Sequence, residues 1–356
     1  MEKFNVGILG ATGAVGQKFV RLLEDHPWFT ATTLGASERS AGKKYIEAVN
    51  WIEPTKIPKE AAKRTVAECT SDQFSDVDFV FSGLDSSVAT EIEKEFASAG
   101  IPVISNAKNY RMHDQVPLLI PEVNPKHIEL IKHQTFSDDG SGWIVTNPNC
   151  VAIPLVLSLK PLYDAFGIEA VNLTSMQAVS GAGYPGVASL DILGNVIPYI
   201  SGEEPKVNEE PLKLLGSFDV SSNTISRTDF PVQTTALRVP TVNGHMLSIT
   251  AKLGEKPKDV ASLREAYQNW QNPIADHELP SSPDQTIHLY ENDFHPQPRL
   301  HADRQNGMQI GIGRLRFSNI FDVSYVALGH NTIRGAAGCS ILNAELLVKE
   351  GYLKVN

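Results

Sequence analysis

A glycine-rich turn near the start of the chain restricts the fold more than any other feature. The segment FNVGIL at 4–9 is an apolar run typical of a buried strand, and GATGAVG at 10–16 follows it directly. The next residues, QKFVRLLEDH at 17–26, place apolar side chains at helical spacing. A strand, a glycine turn and a helix in this order are the context that a dinucleotide fingerprint requires. We therefore predict an α/β domain with a doubly wound, Rossmann-type parallel sheet.

The three glycines of this turn have separate physical roles in that interpretation. Gly10 permits the tight turn, Gly13 lets the backbone approach a pyrophosphate, and Gly16 allows close packing of the helix on the strand. Backbone N–H groups at the start of the helix would bind the phosphates. The residues that supply these groups are Thr12, Ala14 and Val15. A glycine turn without a ligand is the alternative.

The end of the second predicted strand indicates which dinucleotide binds. NAD-binding proteins carry an acidic residue about 20 residues after the turn, where it holds the ribose 2′-hydroxyl. Here the strand TATTLGA at 30–36 is followed by Ser37, with Arg39 and Ser40 close behind. Hydroxyl groups and a guanidinium suit a 2′-phosphate, which a carboxylate would repel. A solvated basic loop is the alternative, and we predict that the cofactor is NADP.

A cysteine follows the last strand of this predicted domain. Strand and helix patterns alternate between 77 and 105, and a further strand at 143–147 leads into Cys150. Because doubly wound sheets bind ligands at the carboxyl edge of their strands, Cys150 is predicted to lie at the ligand site. The apolar run at 151–166 predicts a helix directly after it, and a helix N-terminus favours a thiolate.

Composition excludes several classes of protein. The net charge of −10 disfavours nucleic acid and anionic membranes as partners. No apolar stretch is long enough to cross a bilayer, and the N-terminus does not resemble a signal peptide. Three scattered cysteines cannot form a disulfide framework, and Cys69 and Cys339 are predicted to be structural. Such cysteine usage suits the reducing cytoplasm, where we expect the protein. Because clustered zinc-type Cys and His spacing is missing, we expect no metal.

After residue 150 the sequence changes to longer alternating strands separated by proline-rich connections. The predicted strands are 171–181, 246–253, 308–318 and 322–330. They predict a mainly antiparallel sheet with helices on one face, an α+β domain, and a final amphipathic helix that returns to the nucleotide domain. We assign 1–149 with 333–356 to an NADP-binding domain and 150–332 to a catalytic and dimerisation domain. The large second sheet suggests a homodimer or homotetramer.

Six motifs occur in an order that resembles one enzyme family. They are GATGAVG, SNAKNYRM, NPNC, SMQAVSGAGYPG, EPLK and LRVPTVNGH, between residues 10 and 245. Together they resemble aspartate-β-semialdehyde dehydrogenase of the fungal and archaeal type, over essentially the whole chain. The resemblance implies the two-domain plan shared with glyceraldehyde-3-phosphate dehydrogenase. It also implies NADP-dependent, reversible conversion of L-aspartyl-4-phosphate to L-aspartate-4-semialdehyde, on the route to lysine, methionine and threonine.

The resemblance assigns catalytic chemistry to four residues. Cys150 would attack the acyl phosphate, release phosphate and hold the acyl group as a thioester that accepts hydride. His245 matches the catalytic histidine of the family, the base that activates the thiol and moves protons. Gln177 and Asn149 would orient the acyl intermediate and its oxyanion. One departure is Val151, where family members often carry a hydroxyl residue.

The resemblance also implies the ligands of the substrate and of the nicotinamide. Arg238 would clamp the α-carboxylate with its planar guanidinium, and an Asn-Gly turn would fold His245 back toward it. Glu210 would bind the α-ammonium group, and Lys213 shares its helical face. Lys213 and Arg111 would hold the phosphate. Further cofactor contacts are assigned to Ser180, Gly181 and Asn343.

Three other functions remain as alternatives at this point. Malonyl-CoA reductase and N-acetylglutamyl-phosphate reductase use related chemistry, but their substrates offer Glu210 no free ammonium group. An NADP-binding regulatory module without turnover is the third alternative. The combination of a thiol, an imidazole and substrate-type cations in one chain disfavours it.

The loop after the second predicted strand generates a test of the cofactor. We expect NADP to bind more tightly than NAD, and Ser37→Asp to weaken NADP through charge repulsion while leaving NAD unaffected. Losing one or two charge-assisted phosphate contacts costs roughly 2–4 kcal/mol. Titration of wild type and variant with both dinucleotides measures this, and equal affinity of the wild type for both would contradict it.

Overall fold

The computed structural model describes residues 2–355, and the first of its two large sheets forms around the glycine turn. The six strands of this sheet are β1 (Phe4–Leu9), β2 (Phe29–Ala36), β3 (Ala67–Glu68), β4 (Phe79–Ser82), β5 (Val103–Ser105) and β6 (Ile144–Thr146). Their order is β3-β2-β1-β4-β5-β6, and all neighbours are parallel. The order reverses between β1 and β4, where such sheets bind dinucleotides. The predicted doubly wound sheet is confirmed.

The helices of the same residues have these bounds. They are α1 (Ala14–Leu22), α2 (Tyr45–Ala48), α3 (Lys59–Lys63), α4 (Ser86–Ser98), α5 (Ala152–Phe166), α6 (Ser189–Ile192), α7 (Glu203–Leu214), α8 (Val260–Asn269), α9 (Pro298–His301) and α10 (Gly338–Lys349). Shorter 3₁₀ segments lie at Ser71–Phe74, Pro125–His133, Val179–Ala182, Ala275–His277 and Arg304–Gly307, and a π-helical segment at Ile333–Ala337. Helix α4 begins after an acidic cap, since the Asp85 carboxylate accepts from the N–H of Ser87 at 2.9 Å.

The glycine turn joins β1 to α1 by a close approach of two backbone segments. Gly10 has a φ of +76°, and a Cβ on Gly16 would lie 2.1 Å from the carbonyl oxygen of Gly10. Neither position therefore accepts a side chain without a backbone shift. Helix α1 starts after Gly13 with no side-chain cap, so its first N–H groups are available to a phosphate. This cradle fits a dinucleotide.

The second sheet is mixed. Its strands are β7 (Ile168–Gln177), β10 (Val232–Arg238), β11 (His245–Leu253), β12 (Ile287–Leu289), β13 (Ile310–Phe317) and β14 (Val323–Gly329), while β8 (Ser217–Asp219) and β9 (Thr224–Ser226) form a separate hairpin. The order is β10-β7-β11-β14-β13-β12. The three inner pairs are antiparallel, as predicted, and the two outer pairs are parallel. Side chains of α5 pack in one apolar core with those of β7, β11 and β14.

The last helix returns to the first sheet but differs from its prediction. Side chains of α10 belong to the same apolar core as those of β1, β2 and β4. The predicted amphipathic face is wrong, because every residue from 338 to 347 is buried. Small residues such as Gly338 and Ala344 allow neighbouring elements to approach the helix from all sides.

A buried ion pair holds the segment just before α10. Arg334 Nη2 lies 2.7 Å from Glu122 Oε2, and neither side chain is exposed. The next residue, Gly335, packs directly on the cysteine, since a Cβ there would lie 2.8 Å from Cys150 Cβ. The ion pair therefore fixes the backbone on which Cys150 rests.

Removing one partner of this ion pair should cost far more stability than removing one partner of a surface pair. Arg334→Met leaves the Glu122 carboxylate buried without its partner, which costs about 3–5 kcal/mol of unfolding free energy. The matched control is Lys63→Met, because both members of the Lys63–Glu60 pair are largely exposed and such pairs contribute about 1 kcal/mol or less. Urea denaturation measures both variants, and equal losses would contradict the expected role of Arg334.

Candidate active site

Cys150 and His245 come from different sheets and meet between them. Cys150 follows β6 at the carboxyl edge of the first sheet and precedes α5. His245 is the first residue of β11 and is completely buried. The Cys150 Sγ lies 3.3 Å from His245 Nε2. The structure thus brings together the thiol and the imidazole that the sequence analysis selected.

The environment of Cys150 does not stabilise a thiolate, in contrast to the prediction. The Oδ1 atom of Asn149 accepts hydrogen bonds from the N–H groups of Val151 at 2.8 Å and Ala152 at 3.3 Å. The free donors at the start of α5 are therefore directed at an amide oxygen. Burial, and after it the charge of Glu203, raises the pKa of Cys150 to about 12, although nearby cations act in the opposite direction.

His245 is held as a neutral ring. Its Nδ1 accepts a hydrogen bond from the backbone N–H of Ala178 at 3.1 Å. Burial, followed by the charge of Arg238, lowers the pKa of His245 to about 3. The charged imidazolium is thus disfavoured at neutral pH.

The arrangement of strands that positions Arg238 differs from the one that the sequence suggested. The predicted fold-back of His245 toward Arg238 implied neighbouring strands, but β7 lies between β10 and β11. Arg238 ends β10 opposite Gln177, the last residue of β7. Its Nη1 donates to the carbonyl oxygen of Ala178 at 2.8 Å. The ends of three strands, and not one hairpin, position the arginine and the histidine.

A carboxylate that the sequence analysis missed joins the polar groups of the site. Glu203 Oε1 accepts from Asn149 Nδ2 at 2.9 Å and from Gln177 Nε2 at 3.3 Å, and Oε2 accepts from Lys206 Nζ at 2.6 Å. Burial alone would raise the pKa of Glu203, but Lys206 and Asn149 lower it below its ordinary value. The carboxylate is therefore ionised beside Cys150.

The sequence contains two copies of the spacing that could have identified Glu203. The spacing Glu-x-x-Lys occurs at 203–206 and again at 210–213, on one face of α7. The predicted roles fall on the second occurrence, but Glu203 of the first is the carboxylate whose charge acts on Cys150.

Glu210 and Lys213 both have hydrogen-bond partners inside the protein, and their predicted roles at the substrate stay predictions. Glu210 Oε1 accepts from Arg111 Nη1 at 2.9 Å, and Oε2 accepts from the N–H of Asn149 at 2.6 Å. Lys213 Nζ donates to three backbone carbonyls of the loop 111–116, each at 2.8 Å. All three ammonium donors of Lys213 are used in this arrangement. Both residues anchor the segments that carry Arg111 and Cys150.

The residues predicted to bind the 2′-phosphate lie in a turn after β2. The N–H of Ser40 donates to the carbonyl oxygen of Ser37 at 2.8 Å, which brings the two hydroxyl residues together. Ser37 and Arg39 are exposed. This arrangement is open to a ligand, and its role in binding NADP stays a prediction.

A cleft lies between the start of α1 and the segment that follows β7. It has a volume of about 440 Å³ and extends from Ala14 to Ser180. Gly181 lies against the histidine, since a Cβ there would be 3.0 Å from His245 Cε1. A dinucleotide bound at the turn could therefore extend along the cleft toward the pair.

Asn343 does not lie in this cleft. The residue is fully buried in α10, and its Nδ2 donates to the carbonyl oxygen of Leu119 at 3.3 Å. These contacts contradict a direct role in cofactor binding and make Asn343 a support for the loop that contains Leu119.

Cys339 and Cys69 form no part of the Cys150–His245 pair. Cys339 is fully buried, and burial raises its pKa to about 12, while Cys69 is partly buried with a raised pKa. Within residues 2–355, no group of three His, Cys, Asp or Glu side chains could hold a metal ion. The same residues form no helix that is long and apolar enough to span a membrane.

The fold and this pair of side chains define a class of enzyme: a nucleotide-dependent dehydrogenase with a cysteine at its reaction centre. Two family models match the chain, described as the NAD-binding domain of semialdehyde dehydrogenase at 5–131 and its dimerisation domain at 159–334.

Full-length relatives extend the match. The aspartate-semialdehyde dehydrogenase of Archaeoglobus fulgidus is 49% identical over 98% of this chain and 99% of its own. That of Schizosaccharomyces pombe is 46% identical over the same shares. A crystal structure of the Candida albicans enzyme with NADP has a TM-score of 0.92 and 40% identity, covering 99% of this chain and 100% of its own. The chain belongs to the aspartate-semialdehyde dehydrogenases of the semialdehyde dehydrogenase family.

The environment of Cys150 predicts an unusual pH dependence of alkylation. Part of the residue remains exposed, whereas Cys339 is fully buried, so iodoacetamide should label Cys150 ahead of Cys339. Because the thiolate reacts and the pKa of Cys150 is raised to about 12, the rate should rise about tenfold per pH unit between about pH 7 and 10. Peptide mapping by mass spectrometry follows the label. A plateau below pH 9, or first labelling of Cys339, would contradict this.

Proposed function

We propose that this chain catalyses the NADP-dependent, reversible reductive dephosphorylation of L-aspartyl-4-phosphate to L-aspartate-4-semialdehyde, through a thioester on Cys150. The contact of 3.3 Å between Cys150 Sγ and His245 Nε2, at the edge of a dinucleotide-type sheet, carries this conclusion. The names of the relatives support the substrate, and the Candida albicans structure supports NADP as the cofactor. When bound, the reduced cofactor would donate the hydride, and NADP would accept it in the reverse direction. The reaction belongs to lysine, methionine and threonine biosynthesis, and a cytoplasmic location stays a prediction.

The charges around the cysteine suit an amino-acid head group. Arg238 is proposed to clamp the α-carboxylate, and Glu203, in place of Glu210, to bind the α-ammonium. Arg111 and Lys206 are proposed to hold the phosphate, because the charges of both act on Cys150. Gln177 and Asn149 donate to Glu203, which holds their amides beside the proposed ammonium site.

The substrates of the two alternative enzymes carry no group that could pair with the charge of Glu203. Neither malonyl-CoA nor N-acetylglutamyl phosphate presents a free ammonium group to Glu203. A carboxylate so deeply buried would then lose part of its compensation when such a substrate displaced water from the site. The ionised Glu203 therefore favours the aspartyl substrate.

A homodimer or homotetramer is proposed for the assembled enzyme. The family model over 159–334 is described as a dimerisation domain. Leu190, Leu193 and Tyr199 are 89%, 70% and 60% exposed, a concentration of apolar surface that a second subunit could cover. The division into 1–149 with 333–356 and 150–332 is retained as a proposal. Sedimentation velocity gives the mass of the assembly.

The two glutamates of α7 allow a matched test of the substrate. Production of NADPH from aspartate semialdehyde, phosphate and NADP establishes the reaction in the wild type. Glu203→Gln should then lower kcat/KM for aspartate semialdehyde relative to succinic semialdehyde, which lacks the ammonium group, by one to two decades, or about 1.5–3 kcal/mol.

Glu210→Gln is the control, because Glu210 pairs with Arg111 and Asn149 inside the protein. It should leave the ratio between the two aldehydes unchanged. If the ratio shifts in Glu210→Gln and not in Glu203→Gln, the assignment of the ammonium site to Glu203 is wrong. A wild type that forms no NADPH would reject the proposed reaction itself.

A further inference from the structure

A buried carboxyl group behind the loop of Arg111 lacks a cationic partner. Glu93 lies on the buried face of α4 and is completely buried. Its Oε1 accepts from Ser105 Oγ at 2.6 Å, whereas its Oε2 has no hydrogen-bond partner among residues 2–355. Neither carboxyl oxygen is therefore hydrogen-bonded to a cation in this part of the chain.

Burial without a cation favours the neutral form of this group. A carboxylate that leaves water without compensation is costly, so the protonated acid costs less free energy. Burial raises the pKa of Glu93 to about 7, although the hydroxyl groups of Ser105 and Ser82 and the charge of Arg111 act in the opposite direction. Glu93 therefore changes its charge in the neutral pH range.

The other polar groups beside the carboxyl group stay neutral in that range. Ser82 Oγ, at the end of β4, is also buried without a hydrogen-bond partner among residues 2–355, and a protonated Oε2 can donate to it. Tyr110 donates its hydroxyl to the carbonyl oxygen of Thr90 at 2.9 Å, and burial, followed by the charge of Glu93, raises the pKa of Tyr110. Arg111 is thus the cation whose charge acts on Glu93.

Ser105 connects this carboxyl group to the loop that carries Arg111. While Ser105 Oγ donates to Glu93, it accepts from the backbone N–H of Ala107 at 3.0 Å. Asn106 lies between these two loop residues, and its carbonyl oxygen accepts from Arg111 Nη2 at 2.8 Å. The hydrogen bonds of Glu93 and of Arg111 therefore hold the same short stretch of backbone.

An ionised Glu93 would compete with phosphate for the guanidinium. Arg111 Nη1 donates to Glu210 Oε1 at 2.9 Å, and Arg111 Nε is buried without a hydrogen-bond partner among the described residues. A charge on Glu93 would attract the guanidinium from the side of the loop and would repel a phosphate dianion that approaches the same cation. A neutral Glu93 has neither effect.

We propose that Glu93 is a positioning residue for Arg111, and that its neutral carboxyl group is the form that supports binding of the substrate phosphate. This inference rests on the proposed function, which makes Arg111 a phosphate ligand. Glu93 is completely buried, so it acts through the loop and through Arg111 and not by contact with substrate. Deprotonation of Glu93 lowers the affinity for phosphate as the pH rises through the neutral range.

The first test measures phosphate binding without turnover. Inorganic phosphate is titrated calorimetrically into protein saturated with NADP, for the wild type and for Glu93→Gln, whose amide keeps an acceptor for Ser105 and carries no charge. The ratio of the wild-type Kd to the variant Kd should be about one at pH 6 and should rise about threefold or more by pH 9. Because phosphate ionises identically in both titrations, its own pKa cancels in the ratio. A ratio that stays constant or falls overturns the proposal.

Glu91→Gln is the matched control for this titration. Glu91 lies on the same helix as Glu93, but it is exposed. Its replacement should leave the phosphate Kd of the wild type unchanged at every pH, because water screens its charge. If both variants change the Kd equally, the net charge of α4 and not the buried carboxyl group affects phosphate, and the proposal is wrong.

The second test measures the charge of Glu93 through stability. The ordinary pKa of the glutamate is 4.5, and in the folded protein it is raised to about 7. Between these two pH values the unfolded chain ionises first, so the wild type should lose stability relative to Glu93→Gln, and above about pH 7 the difference should stay constant. Urea denaturation of both proteins at several pH values measures this. A difference that does not change with pH overturns the proposal, because Glu93 would then be ionised already.

NADPH production separates these results from the proposed reaction. In the active enzyme, Glu93→Gln should change the KM for phosphate with pH by the same factor as the Kd, and should leave kcat within about twofold of the wild type. A wild type that forms no NADPH would reject the proposed reaction, whereas calorimetry and denaturation would still report on Glu93. Failure of the function and failure of this inference are therefore distinguishable.

Discussion

The hydrogen bonds of Asn149 hold the site together. Its Oδ1 caps α5, its Nδ2 donates to Glu203, and its backbone N–H donates to Glu210. One residue thus joins the end of the first sheet, the start of α5 and two turns of α7. The position of Cys150, the next residue in the chain, follows from these bonds. Because the groups are buried, a lost bond would leave an unpaired polar atom and move the sulfur.

Burial determines the protonation states of Cys150 and His245. Taking Cys150 and His245 out of water disfavours their charged forms, so a neutral pair costs less than an ion pair. Buried groups stay charged where an ion pair stabilises them, as Lys206 does for Glu203 and Arg334 for Glu122. The result is a neutral thiol and a neutral imidazole among fixed cations and anions.

The sequence predicted the elements that depend on local chemistry. Glycine spacing, an apolar strand and a helical pattern identify the dinucleotide sheet, since each reflects a backbone requirement of a few neighbouring residues. Local spacing predicted an amphipathic α10, but the helix is buried on all sides, because its burial depends on which elements surround it. It also failed for the thiolate of Cys150, because a cap by Asn149 Oδ1 is a matter of side-chain direction.

By itself the sequence determined the fold class, the cofactor type, and the cysteine and histidine as candidates, since these follow from short motifs and from a resemblance over the whole chain. Only the tertiary structure showed that Glu203 accepts from Asn149 Nδ2 and Gln177 Nε2 while Glu210 pairs with Arg111, because both glutamates satisfy one spacing and differ by two turns of a single helix. It alone showed that β7 separates Arg238 from His245 and that Ala178 points its N–H at the imidazole. Such contacts join residues far apart in sequence. Their energies depend on burial and direction, which spacing along the chain does not encode.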